Sequence, residues 1–100
     1  MPDLSSKQRA HLRGLAHALK PVAHIGKDGV TKAVLDALRQ TFAANELVKV
    51  RVLENAPETA AATAHALANA IDGTTVIQTM GRNATLYRPD PDEPTIELPR

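Results

Sequence analysis

Between Pro21 and Ala44 the hydrophobic pattern changes once, and it changes across a pair of glycines. Pro21 to Ile25 is a short apolar run, Gly26-Lys27-Asp28-Gly29 interrupts it, and Thr31 to Ala44 is amphipathic. That order reads as strand, Gly-x-x-Gly loop and helix. Glycine lets the chain turn sharply or lets another backbone come close. Thr31 is placed to cap the helix, with Val30 and Leu35 at the two positions of a hydrophobic staple. The first N–H groups of a helix have no partner within it, and the macrodipole adds partial positive charge there. Lys27 and Lys32 bracket the loop with full charges, which suits it to a phosphate. Two glycines three apart are also common in plain turns. The capped helix and the lysines beside them favour the binding role. A Walker A loop is excluded, because Gly-Lys-[Ser/Thr] does not occur at its spacing.

The flanking segments extend the pattern. Ser5 and Gln8 have the form of a capping box, and Leu12, Leu15, Ala16 and Leu19 then recur as a buried helical stripe that Pro21 ends. Gly14 within it suggests close packing. On another face Arg9, Arg13, His17 and Lys20 make a basic ridge about three turns long. After the loop, Val34, Leu35, Leu38 and Phe42 line a core face, and Asn45 is placed as a C′ residue. Leu47 to Leu53 alternates, with Val48, Val50 and Val52 on one side and Lys49 and Arg51 on the other, the clearest strand in the chain. Asn55 and Glu58 have the form of a second capping box with Pro57 in the first turn. The alanine-rich helix that follows turns Ala60, Ala64, Leu67, Ala68 and Ile71 inward and stops at Asp72-Gly73. Thr74 to Met80 and Ala84 to Arg88 form a hairpin across Gly81-Arg82-Asn83.

These elements predict an α/β fold: one compact domain in the order α-β-α-β-α-β-β, with a mixed four-stranded sheet covered by helices. Residues 1–88 form the domain. Residues 89–100 form an extended, acidic, proline-rich tail, whose Thr95–Leu98 adds a short edge strand or packs on the body.

Charge is unevenly spread. Residues 1–51 hold nine Lys/Arg against four Asp/Glu, a net +5, whereas residues 52–100 carry −4. A molecule polarised in this way can offer one face to a polyanion while its net charge stays near +1. The absence of cysteine removes disulfides and thiolate metal sites. Met1 to Ser6 contains no apolar leader and no run approaches a membrane span, so a cytoplasmic location is expected.

The four histidines show no metal-ligand spacing, and neither a nucleophile elbow nor a separated carboxylate pair stands out. No metal, cofactor, small-molecule substrate or catalytic role is expected. With Phe42 assigned to the core and Tyr87 to the last strand, the chain lacks exposed rings on which to stack bases. Nucleic-acid binding would rest on phosphates, 2′-OH groups and shape.

Ser-x-Lys-Gln-Arg-Ala-x-Leu-Arg-Gly-Leu-Ala-His-x-Leu-Lys-Pro, Ile-Gly-Lys-Asp-Gly-Val-Thr, Leu-Val-Lys-Val-Arg-Val, Leu-Tyr-Arg-Pro and Ile-Glu-Leu-Pro-Arg occur in that order over nearly the whole chain. In this it resembles the YhbY-type proteins, bacterial stand-alone forms of the CRM (chloroplast RNA splicing and ribosome maturation) domain. The resemblance implies a fold similar to the C-terminal domain of translation initiation factor three. It also implies RNA as partner, bound through the Gly-x-x-Gly loop, and association with precursors of the large ribosomal subunit. By matching position that loop is Gly26, Lys27, Asp28 and Gly29, and the family's basic first helix falls on Arg9, Arg13 and Lys20. Lys32, Lys49 and Arg51 extend the expected RNA-binding surface. An Alba-like nucleic-acid binder and a protein adaptor using the acidic half are the alternatives.

Overall fold

Helix α1 spans Ser6–Ala16. Ser5 caps it reciprocally: its hydroxyl accepts from the Gln8 N–H at 3.1 Å, and the Gln8 side chain accepts from the Ser5 N–H at 2.9 Å. The helix is shorter than its spacing predicts, ending before His17. Proline disfavours helical geometry at the residue before it. The chain therefore unwinds ahead of Lys20 and Pro21, through a tight turn closed from the Leu19 N–H to the Ala16 carbonyl. Leu12 and Ala16 are fully buried, but Leu15 and Leu19 are 42% and 37% exposed, so half of the expected stripe misses the core. Gly14 marks no close packing either, since a Cβ there would have no neighbour within 4 Å.

The computed structural model describes residues 4–100; residues 1–3, the start of the segment read as lacking a leader, lie outside the described residues. Strand β1 (Ala23–Ile25) leads into the glycine loop, then α2 (Lys32–Ala44) and β2 (Leu47–Val52). Thr31 caps α2, accepting from the Val34 N–H at 3.2 Å. Asn45 is not a left-handed C′ residue: its φ is −142°, already extended, because β2 begins two residues later. Helix α3 (Ala60–Ala70), β3 (Thr75–Met80) and β4 (Asn83–Tyr87) complete the order. Hairpin residues Met80 and Asn83 pair, and the left-handed φ of +58° falls on Gly81, the first residue of a two-residue loop.

The sheet is mixed, in the order β1-β2-β4-β3. β1 and β2 are parallel, and β4 lies antiparallel to both β2 and β3. Both crossovers thus join parallel strands, the second leaving a gap that β4 fills. One sheet face, with Val48, Val50, Ala84 and Leu86, packs on Leu38 and Phe42 of α2 and on Ala64 and Leu67 of α3. The other, with Leu47, Ile77 and Tyr87, lies under Leu12 and Ala16. The radius of gyration, 12.8 Å, is that of one compact domain of this length.

Residues 89–100 form no strand. Glu46, 5% exposed, takes the N–H groups that an edge strand would donate. Its carboxylate accepts from Asp90 N (2.6 Å), Thr95 N and Oγ1 (each 2.9 Å) and Ile96 N (2.7 Å). Ile96 and Leu98 pack on the α1 cluster, and Gln8 Nε2 donates to the Pro99 carbonyl at 3.1 Å.

Candidate nucleic-acid interface

Gly26 to Gly29 form a turn closed by the Gly29 N–H donating to the Gly26 carbonyl at 2.9 Å. The two glycines are not equivalent. Gly29 has φ +66°, and a Cβ on it would lie 3.0 Å from Pro57 Cγ. A Cβ on Gly26 would meet only ordinary contacts, the nearest at 3.6 Å. Position 29 needs glycine twice over, for its dihedral and for space. The neighbouring loop is tied to β1 by the Leu53 N–H, which donates to the Ile25 carbonyl at 2.8 Å. This packing explains why Asn55 and Glu58 form no capping box. Thr59 caps α3 instead, accepting from the Ala62 N–H at 3.1 Å, and Pro57 walls the glycine loop.

Lys27 and Asp28 are exposed at the tip. Lys32 is not a free bracket to the loop: its ammonium donates to Asp36 at 2.8 Å, and Arg39 reaches the same carboxylate at 3.4 Å. The Lys32 hydrogen bond above all holds the Asp36 carboxyl below its ordinary value against the opposing effect of burial, helped by the charges of Lys32 and Arg39. Lys32 therefore offers a ligand less net field than its charge suggests.

The sheet face that carries α1 is covered at one end only. Register places His24 opposite Arg51, Lys49 opposite Thr85, and Arg51 opposite Asn83. These side chains share that face beyond α1, together with Gln78 and Met80 of β3. None is a carboxylate. The glycine loop leaves β1 at this same open end, next to Ile25 and its partner Val52. Lys27, Lys49 and Arg51 thus belong to one end of the molecule. His24, Gln78, Met80, Asn83 and Thr85 join them with no signal in the sequence, since cross-strand register alone brings them together.

The basic ridge divides. Arg13 is exposed on α1, His17 is its C-cap and faces Lys49 and Gln78, and Lys20 lies beyond the helix. Arg9 is half-buried, and its guanidinium donates to the Val76 carbonyl at 3.2 Å, beside the β-bulge between Val76 and Gln78. It staples α1 to β3. Arg9→Ala is therefore expected to cost about 1–2 kcal/mol through a lost charged hydrogen bond and lost stem packing. Arg13→Ala should stay within about 0.5 kcal/mol. Urea melts of the two single variants check the difference.

The acidic tail sits at the far end. Its Asp90 N–H rests on Glu46, roughly 20 Å along β2 from Val52 at about 3.4 Å per residue. Among the described residues, no group of three or more His, Cys, Asp or Glu could hold a metal ion, and no helix is long and apolar enough to cross a membrane.

The chain as a whole is similar to several known proteins. The model of the CRS1/YhbY (CRM) domain matches residues 4–88. An RNA-binding protein of Haemophilus influenzae is 39% identical over 100 residues, covering 100% of this chain and 99% of that one. The probable RNA-binding protein YqeI of Bacillus subtilis is 35% identical over 96 residues, 96% of this chain and 99% of its own. The solution structure of a hypothetical protein from Staphylococcus aureus superimposes with a TM-score of 0.79 at 33% identity, covering 97% of this chain and 100% of that one.

Proposed function

The chain belongs to the CRS1/YhbY (CRM) domain family, and we propose that it is an RNA-binding protein acting in assembly of the large ribosomal subunit. Two relatives aligned over nearly the whole chain are named as RNA-binding proteins, which supports RNA as the partner. The observation that carries the reading is the junction of the Gly26–Gly29 turn with the end of the sheet where Lys49 and Arg51 share one face, and where Glu54 is paired with Arg82 at 3.7 Å. The loop receives the backbone at the α2 N-terminus, Lys27 supplies the charge at its tip, and Lys49 and Arg51 continue the track across β2. Arg13, Lys20 and His17 extend it along α1. Arg9 contributes mainly by holding that helix in place, and Lys32 only after leaving Asp36. The role is binding, with no catalytic step, in the cytoplasm.

Salt dependence tests it. The logarithm of the affinity should fall linearly with that of salt, with a slope of roughly −0.7 per neutralised phosphate on single strands and −0.9 on duplex. A flat titration refutes the electrostatic grip. Crosslinks mapped in cells should fall in large-subunit rRNA and its precursors; crosslinks spread evenly over other RNAs refute the assembly role.

A further inference from the structure

Register lines up one residue from each strand across the open end of the sheet. His24 of β1 stands opposite Arg51 of β2, Arg51 opposite Asn83 of β4, and Asn83 opposite Met80 of β3. Side chains paired in this way point to one face. Ala23 and Val50, the neighbours of His24 and Arg51, pack on the opposite, helix-covered side. His24 and Arg51 are exposed, and Met80 is 60% exposed. The next row inward holds Lys49, Thr85 and Gln78, with His17 against it at the end of α1. Neither row contains a carboxylate, and Glu54, which follows β2, is paired with Arg82 at 3.7 Å. A strand spacing of about 4.8 Å puts His24 and Met80 roughly 14 Å apart, farther than one base reaches.

We infer that this row is a stacking platform for single-stranded RNA. One base lies flat on the His24 imidazole, a second lies on the Met80 thioether, and Arg51 between them holds the backbone that joins the two. The inference rests on the RNA binding proposed above and adds to it a hold on the bases. Phe42 and Tyr87 are buried, so imidazole and guanidinium are the flat groups left on this face. Histidine rings and arginine planes both serve as base platforms in RNA recognition. Methionine is polarizable and makes favourable contacts with aromatic rings. An apolar side chain held out beside cationic groups suits a nucleotide, whose base has apolar faces and whose phosphate is an anion. Bases of a single strand can splay onto such a surface, whereas those of a duplex stay stacked on one another. The platform therefore selects single strands, and it tolerates any sequence because every base has a π-face.

The test measures the affinity of the full chain for a single-stranded RNA of mixed sequence and for the same strand annealed to its complement, at one salt concentration. His24→Ala should weaken single-strand binding about fivefold and Met80→Ala about threefold, while duplex binding stays within about twofold. His24→Phe keeps a ring but has neither the charge nor the hydrogen bonds of imidazole, and should bind single strands like the parent. Should a variant fold poorly, the parent provides a second reading: the Met80 methyl resonance should move upfield with the single strand, under the shielding of a stacked base, and much less with the duplex. Alanine variants that bind single strands like the parent overturn the platform and leave the electrostatic grip standing. Equal losses on single strand and duplex, or a His24→Phe variant as weak as His24→Ala, overturn it as well, since no base then lies on the ring. If the parent binds neither RNA, the platform falls together with the RNA-binding reading.

Discussion

Lys27→Asp is expected to lower RNA affinity by a factor of ten or more, about 1.4 kcal/mol, and to leave the melting temperature where it was. The substitution keeps Gly26 and Gly29, and with them the turn and the contact with Pro57. It changes the local charge by −2 and produces Gly-Asp-Asp-Gly. The new carboxylate stands with that of Asp28 where the α2 N-terminus would receive an anion, and two carboxylates there repel an approaching phosphate. Stability should hold or rise slightly, because the same dipole favours acids. Melting and RNA affinity are measured on one preparation. A variant that melts normally and binds like the parent means that the loop is only a turn.

Glu46→Ala should produce the largest loss of stability among the polar substitutions, about 2–3 kcal/mol, the scale of losing several part-buried hydrogen bonds to one charged acceptor together with the packing they hold. For a domain of this size that corresponds to a fall in Tm of roughly 8–20 °C. The mechanism is release of the tail. Without the carboxylate, the N–H groups of Asp90, Thr95 and Ile96 must turn to water, and Ile96 and Leu98 leave the cluster around Leu12 and Tyr87. Limited proteolysis should then cut within residues 89–100 before the body. The same contact makes the fold acid-sensitive. Burial by itself would raise the Glu46 pKa, but the N–H groups of Asp90 and Ile96 and the Thr95 hydroxyl and N–H outweigh it and hold the pKa below its ordinary 4.5. The stabilisation is thus complete above the unfolded-state value of about 4.5 and is lost as pH falls through the lower, folded-state value. Glu46→Gln should flatten that part of the pH profile. A parent and a Glu46→Gln variant with the same stability between pH 5 and pH 3 would refute the latch.

Features set by neighbours in the chain are legible in the residues alone. The Ser5–Gln8 box, the Thr31 cap, the alternation through Leu47–Val52 and the Gly-x-x-Gly turn each depend on residues a few positions apart. Local dihedral preference and hydrophobic period act over that range and need no distant partner. The elements, their order and the loop with Lys27 follow from them. Lys49 and Arg51 are also legible as one polar face, because a strand's side chains alternate whatever pairs with it.

What the period does not convey is which faces meet. Leu15 and Leu19 repeat as regularly as Leu12, yet they remain largely outside: Leu19 falls past the end of α1, and Leu15, within it, stays 42% exposed. Pro57 has the look of a helix start and serves as a wall for Gly29, a choice made by the packing of two loops far apart in the chain. Arg9 belongs by spacing to a solvated ridge, and becomes a staple because the Val76 carbonyl lies within its reach. Glu46 shows no local sign of burial; the donors that make it tolerable arrive from residues 90–96. Even the exposed row from His24 to Met80 exists only because the register sets Asn83 opposite Met80 and Arg51. Local sequence determined the elements and their polar faces, since dihedral preference, capping and period are properties of neighbouring residues. The tertiary structure alone decided which charges stay free and which side chains share a face, because both depend on groups that come together only when the chain closes on itself.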